Sequence, residues 1–83
     1  MPEKIHESVS VDLVSEDHNG RIYPRFIKWH NRLYRITQVG LHHWLRKGRT
    51  LIHIFSVTDG NLFFRLAFDT DTLRWTLEEI EEK

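Results

Sequence analysis

Apolar residues recur at every second position along this chain, in short runs separated by turn residues. Val9, Val11 and Leu13 alternate with polar neighbours, and Leu62, Phe64, Leu66 and Phe68 repeat the pattern near the other end. A period of two is that of a β-strand with one face turned inward. The runs are rich in Val, Ile, Thr and aromatics. Turn residues interrupt them at Asn19-Gly20, Asn31-Arg32, Lys47-Gly48, Asp59-Gly60 and 69–72. This spacing predicts antiparallel strands joined by hairpins.

If the turns are right, pairing across them must keep apolar residues on one face. A two-residue turn at Asp59-Gly60 sets Val57 opposite Leu62, Phe55 opposite Phe64, His53 opposite Leu66 and Leu51 opposite Phe68. A four-residue loop at 69–72 sets Phe68 opposite Leu73, Leu66 opposite Trp75 and Phe64 opposite Leu77. A turn at Lys47-Gly48 sets Trp44 opposite Leu51 and His42 opposite His53. It also puts Gly40 opposite Phe55, a bend where an aromatic covers a glycine. A turn at Asn31-Arg32 sets Tyr34 opposite Trp29, Ile36 opposite Ile27 and Lys28 opposite Arg35. The four turns agree on one inner face. The expected core is Ile27, Trp29, Tyr34, Ile36, Trp44, Leu51, Phe55, Val57, Leu62, Phe64, Leu66, Phe68, Leu73, Trp75 and Leu77.

The first strand fits this scheme less directly. An Asn19-Gly20 hairpin would pair Leu13 with Phe26, on the opposite face from Ile27 and Trp29. Pro24 has no amide hydrogen for a ladder. A bulge or bend over residues 24–27 is therefore expected, letting this strand switch sheets. Leu33, Leu41, Ile52, Ile54 and Phe63 fall on the second face, which calls for cover by the first strand, a curled sheet, the C-terminal tail or a second copy. The expected fold is all-β: a small antiparallel meander curled into a barrel or roll of five to six strands, with a short helical turn at 76–83.

At 83 residues the chain forms a single domain, 1–83. It has no cysteine, so no disulfide or thiolate metal site staples it; three Trp, two Tyr and five Phe supply buried area instead. The lack of cysteine and of any apolar leader fits a cytoplasmic protein, and no run approaches the ~20 apolar residues of a membrane helix.

The charged residues are unevenly distributed along the chain. All twelve acidic residues lie in 1–17 and 59–83, and each of these segments carries a net −4. Residues 18–58 contain no acid and eight bases. A basic field without acids attracts anions: nucleic acid, phosphate or the chain's own ends. The hairpin tip Leu41-His-His-Trp-Leu-Arg-Lys-Gly-Arg-Thr50 interleaves bases with aromatics, the mixture a single-strand groove uses. Candidate nucleic-acid-binding residues are Arg25, Lys28, Arg32, Arg35, Trp44, Arg46, Lys47 and Arg49. Against this stands the plainer reading that the Glu residues at 78, 79, 81 and 82 fold back onto the bases, or that the charges merely solvate a face.

Other chemistry is thinner. His42 and His53 face each other but lack the two further ligands that a zinc site needs, so no metal is expected. The Asp69-x-Asp71 run opens like a calcium loop, but the Gly at its sixth position and the Glu at its twelfth are absent; turn capping explains it. There is no Cys nucleophile, phosphate loop, zinc-protease motif or serine elbow, so neither enzyme activity nor a cofactor is expected.

The run Ile27-x-Trp29-His30-Asn31-Arg32-x-Tyr34-x-Ile36, with Trp75-x-Leu77 later, resembles small uncharacterised bacterial β-domains. Those domains carry a W-x-G-R-x-Y-x-V hairpin and a closing W-x-L strand. Some are found at the C-terminus of proteins related to Y-family DNA polymerases. The likeness covers about residues 27–77. Asn31 stands where Gly is usual, and Asn tolerates the same left-handed backbone. The resemblance implies a fold and a nucleic-acid context rather than catalysis. The expected function is non-enzymatic, non-specific binding of single-stranded nucleic acid through the basic hairpins. The alternative is a protein-interaction or oligomerisation module, as a weak homodimer or docked on a host protein, with the basic stretch neutralised by its own acidic ends.

Overall fold

Extended backbone dominates wherever the chain alternates with a period of two. The structure is a computed structural model that describes residues 3–15 and 22–82. Seven strands appear: β1 (Glu3–Ser15), β2 (Ile22–Trp29), β3 (Arg32–Arg35), β4 (Gln38–Lys47), β5 (Thr50–Thr58), β6 (Leu62–Asp69) and β7 (Arg74–Glu82). They form one antiparallel sheet in the order β3-β2-β1-β7-β6-β5-β4. The strand count is thus seven rather than five to six. The expected helical turn at 76–83 is replaced by β7, whose Leu77 is fully buried between β6 and β1. A helix this short has little stability of its own, and two flanking strands outcompete it. The Asn19-Gly20 turn lies outside the described residues.

Each of the four hairpins is offset by two residues from the expected pairing. Ile27 pairs with Tyr34, Trp44 with His53, Val57 with Phe64, and Phe68 with Trp75. The inner face survives because a two-residue slip returns each side chain to the same side of the sheet. Turn chemistry sets the true registers. His30 and Asn31, with φ of 50° and 60°, form the β2–β3 turn, as a type I′ turn requires. Gly48, with φ 63°, takes the first central position of the β4–β5 turn. Asp59 Oδ1 accepts from the amides of Asn61 and Leu62, which lengthens the β5–β6 loop.

These offsets overturn three local expectations. Lys28 faces Leu33 and Arg35 faces Phe26, so no like charges oppose each other. Gly40 does not face Phe55; it is the extra residue at a bulge between Val39 and Leu41. Leu73 and Trp44 leave the core, at 70% and 61% exposure. The β6–β7 loop consumes Leu73, which adopts a left-handed backbone (φ 58°) and donates its amide to the Asp69 carbonyl at 2.8 Å.

The bulge expected near Pro24 is present: Asp12 pairs with Phe26 and Leu13 with Pro24, leaving Arg25 as the extra residue. It puts Val11 opposite Ile27 on the core face, and β1 passes from pairing with β7 over residues 3–9 to pairing with β2 over residues 10–15. Further bulges fall between β1 and β7 and between β6 and β7, and Glu78 there pairs with His6 at 3.0 Å.

Bulges and twist curl the sheet until Tyr34 of edge strand β3 meets Phe64 of β6, ring to ring at 5.2 Å. The core enclosed by this roll is Ile27, Phe55, Val57, Phe64, Leu66, Trp75 and Leu77. The roll is not closed into a barrel. Ile36 donates its amide to Arg25 and Thr37 donates to Thr58, both at 2.8 Å, so the chain turns a corner from one sheet edge to the other. These successive amides are committed to different strands, and β3 and β4 remain the two edges of the sheet.

Candidate functional site

The residues of interest line the concave side of β4–β7. Register alignment sets Trp44, His53, Phe68 and Trp75 in one row across these four strands. The next row begins His42, Phe55 and Leu66. Side chains directly opposite on neighbouring strands point the same way, so aromatic rings gather on one surface. Phe68 and Trp75 lie 4.7 Å apart, and Phe55 and Trp75 5.5 Å apart. His42 stacks flat on Phe55, at 4.1 Å and 7° between planes.

His42 and His53 are not directly opposite, as the expected pairing had them, but diagonal. This still brings Nε2 of His42 to 2.9 Å from Nδ1 of His53, a hydrogen bond with one ring donating and the other accepting. Partial burial against Phe55 lowers the His42 pKa from its ordinary value of 6.5, and the neighbouring His53 and His43 lower it further. His42 is thereby held neutral near pH 7.

His42, His53, Phe55, Phe68 and Trp75, but not Trp44, line one wall of an open cleft of about 760 Å³. Leu13, Ile22 and Tyr23, from the ends of β1 and β2, form the other wall. The volume falls in the range of roughly 300–1,000 Å³ typical of small-molecule sites.

The eight sequence candidates do not converge on one groove. Trp44, Arg46, Lys47 and Arg49 come together at the β4–β5 tip, with Trp44 and Arg46 on the concave side. Arg25, Lys28, Arg32 and Arg35 lie on β2 and β3, at the opposite sheet edge. There the Arg32 guanidinium covers Tyr34 at 5.7 Å and that of Arg25 covers Phe26 at 5.5 Å. All eight are exposed.

The acidic ends take other partners. Among the described residues the ion pairs are His6–Glu78 and His30–Glu7, at 3.0 and 2.9 Å, and neither involves an Arg or Lys. The hydrogen bonds to His30 and the Trp29 indole N–H hold the Glu7 carboxyl below its ordinary pKa of 4.5. Asp69 Oδ1 accepts from the amides of Asp71 and Thr72, as turn capping requires. No group of three potential metal ligands occurs among the described residues. No helix among them is long and apolar enough to cross a membrane.

The sequence marks Phe55, Phe68 and Trp75 only as core and Trp44 as a candidate, but not that Trp44, His53, Phe68 and Trp75 share one row. The signal is present in the alternation but needs the true β4–β5 register. Nothing in the sequence marks Leu13, Ile22 and Tyr23 as the facing wall. Comparison of this chain with protein-family models, with curated proteins and with solved structures finds no match.

Proposed function

We propose that this protein is a non-enzymatic binding module for single-stranded nucleic acid, with little sequence preference. The observation that carries the reading is the aromatic row ending in exposed Trp44, with Arg46, Lys47 and Arg49 at the same tip. Flat rings on a strand surface stack bases of any identity, and cations beside them track the phosphates. The resemblance of the Trp29–Tyr34 hairpin to domains of polymerase-related proteins points the same way. Titrating the tryptophan fluorescence with an oligonucleotide tests it. Affinity should fall by about 0.7 log units per log unit of salt for each phosphate engaged. Absence of binding at about 50 mM salt, where electrostatic binding is favoured, refutes the reading.

A second reading rests on the convex side. Leu41, Leu45 and Phe63 are 55%, 39% and 44% exposed there, and β4 is an edge strand with one row of backbone groups unpaired in the sheet. An apolar face beside a long open edge favours strand-to-strand association with a second copy or a host protein. Sedimentation at two widely separated concentrations decides the homodimer: a rising mass supports it, and a constant monomer mass removes it.

A further inference from the structure

The cleft beside the His42–His53 pair goes beyond a stacking platform. We infer that it takes one unstacked nucleobase, held by ring stacking and read by the histidine pair without preference among bases. This rests on the nucleic-acid reading above. The cleft has an aromatic wall, in which Phe68 is half-buried and Phe55 and Trp75 show only their edges, and a facing wall of Leu13, Ile22 and Tyr23, with polar groups from the two histidines. Such a site suits a flat ring with polar edges better than an aliphatic or a charged ligand.

The histidine pair explains the lack of preference. A neutral imidazole has one N–H donor and one acceptor nitrogen. If His42 Nε2 donates to His53 Nδ1, then His42 Nδ1 is left as an acceptor and His53 Nε2–H as a donor. If His53 donates instead, the two outer nitrogens exchange roles. Neither outer nitrogen has a protein partner among the described residues. Either tautomer therefore offers one donor and one acceptor, and the arrangement inverts with the tautomer. The two outer nitrogens lie at opposite ends of the pair, so a base meets one of them, and that nitrogen can donate or accept according to the tautomer.

Adenosine and uridine are uncharged probes that separate this cleft from phosphate binding. Nuclear magnetic resonance of the full chain should show millimolar adenosine or uridine shifting the ring signals of His42, His53 and Trp75. Benzyl alcohol, flat but without a polar ring edge, should bind at least about fivefold more weakly. His42→Phe keeps a ring on Phe55 and should abolish the preference for nucleosides over benzyl alcohol. In an oligonucleotide, one abasic position at the protected nucleotide should weaken binding at least about fivefold, the low end for one stacked base.

Nucleosides that leave the three ring signals unmoved overturn the inference, and do so on the wild-type chain even if the variant fails to fold. Equal binding of benzyl alcohol overturns the role of the histidines. Salt-dependent oligonucleotide binding without nucleoside shifts would sink this cleft while sparing the proposed function. Nucleoside shifts at these rings without any oligonucleotide binding would do the reverse: a base site stands, and the single-strand reading falls.

Discussion

Leu73 shows how one residue reports both on the fold and on the limits of pattern. Its alternation places it on the inner face, yet it closes a loop with φ 58° and is 70% exposed. The left-handed backbone costs a residue with a Cβ roughly 1–2 kcal/mol. Glycine's extra chain entropy offsets part of that relief, so Leu73→Gly should stabilise the protein by about 0.5–1 kcal/mol. A lower denaturant midpoint in the variant would show that Leu73 packs in a way its exposure conceals. Phe64 is the opposite case, with 1% exposure and a ring pairing that ties β6 to edge strand β3. Phe64→Ala should cost about 3–5 kcal/mol, a large share of the stability of so small a domain. A variant that unfolds like wild type would remove Phe64 from the centre of the core.

At the scale of elements, the β4–β5 hairpin extends past the core and can change without disturbing it. Its tip charges are exposed, and exposed charges contribute little to stability. Replacing Arg46, Lys47 and Arg49 by Ala should leave the melting temperature nearly unchanged. The salt slope of oligonucleotide binding should fall by about 0.7 for each phosphate that these side chains no longer neutralise. An unchanged slope would move the phosphate path to the Arg25–Arg35 hairpin at the other edge. The hairpins also show what alternation can and cannot locate. It assigns Phe55, Phe64, Leu66 and Leu77 to the inner face, where all are buried. It cannot distinguish registers two residues apart, because these present identical faces. Trp44 opposite His53 rather than Leu51 is the consequence that matters for the site.

Among the described residues, the acidic ends form ion pairs with histidines and not with Lys or Arg. Both His–Glu pairs join β1 to its surroundings, to β7 at His6–Glu78 and to the β2–β3 turn at His30–Glu7. Two lowered pKa values then set the pH response. The folded state binds the His42 proton less readily than the unfolded chain does, so this contribution is full above pH 6.5 and lost as pH falls through it. Glu7, lowered from 4.5, contributes fully above that value, and its share is lost below it. Denaturant midpoints measured from pH 8 to pH 3 should decline in two steps. His42→Phe should remove the upper step and Glu7→Gln the lower. A wild type that gains stability between pH 7 and pH 5.5 relative to His42→Phe would contradict the sign.

Four features are written locally in the amino-acid order: the all-β class, the inner face of the strands, the bulge near Pro24 and the left-handed turn at Asn31. Each follows from a rule that acts over a few residues: a period of two, a missing amide hydrogen, a residue tolerant of positive φ. The pairing of β1 with β7 inside one seven-stranded sheet is not written that way. Nor is the choice of strand over helix at residues 76–82, or the placing of Leu13, Ile22 and Tyr23 across a cleft from the aromatic row. These outcomes depend on which distant strands meet. Collective burial makes that choice, together with backbone amides such as those of Ile36 and Thr37, and no local pattern encodes it.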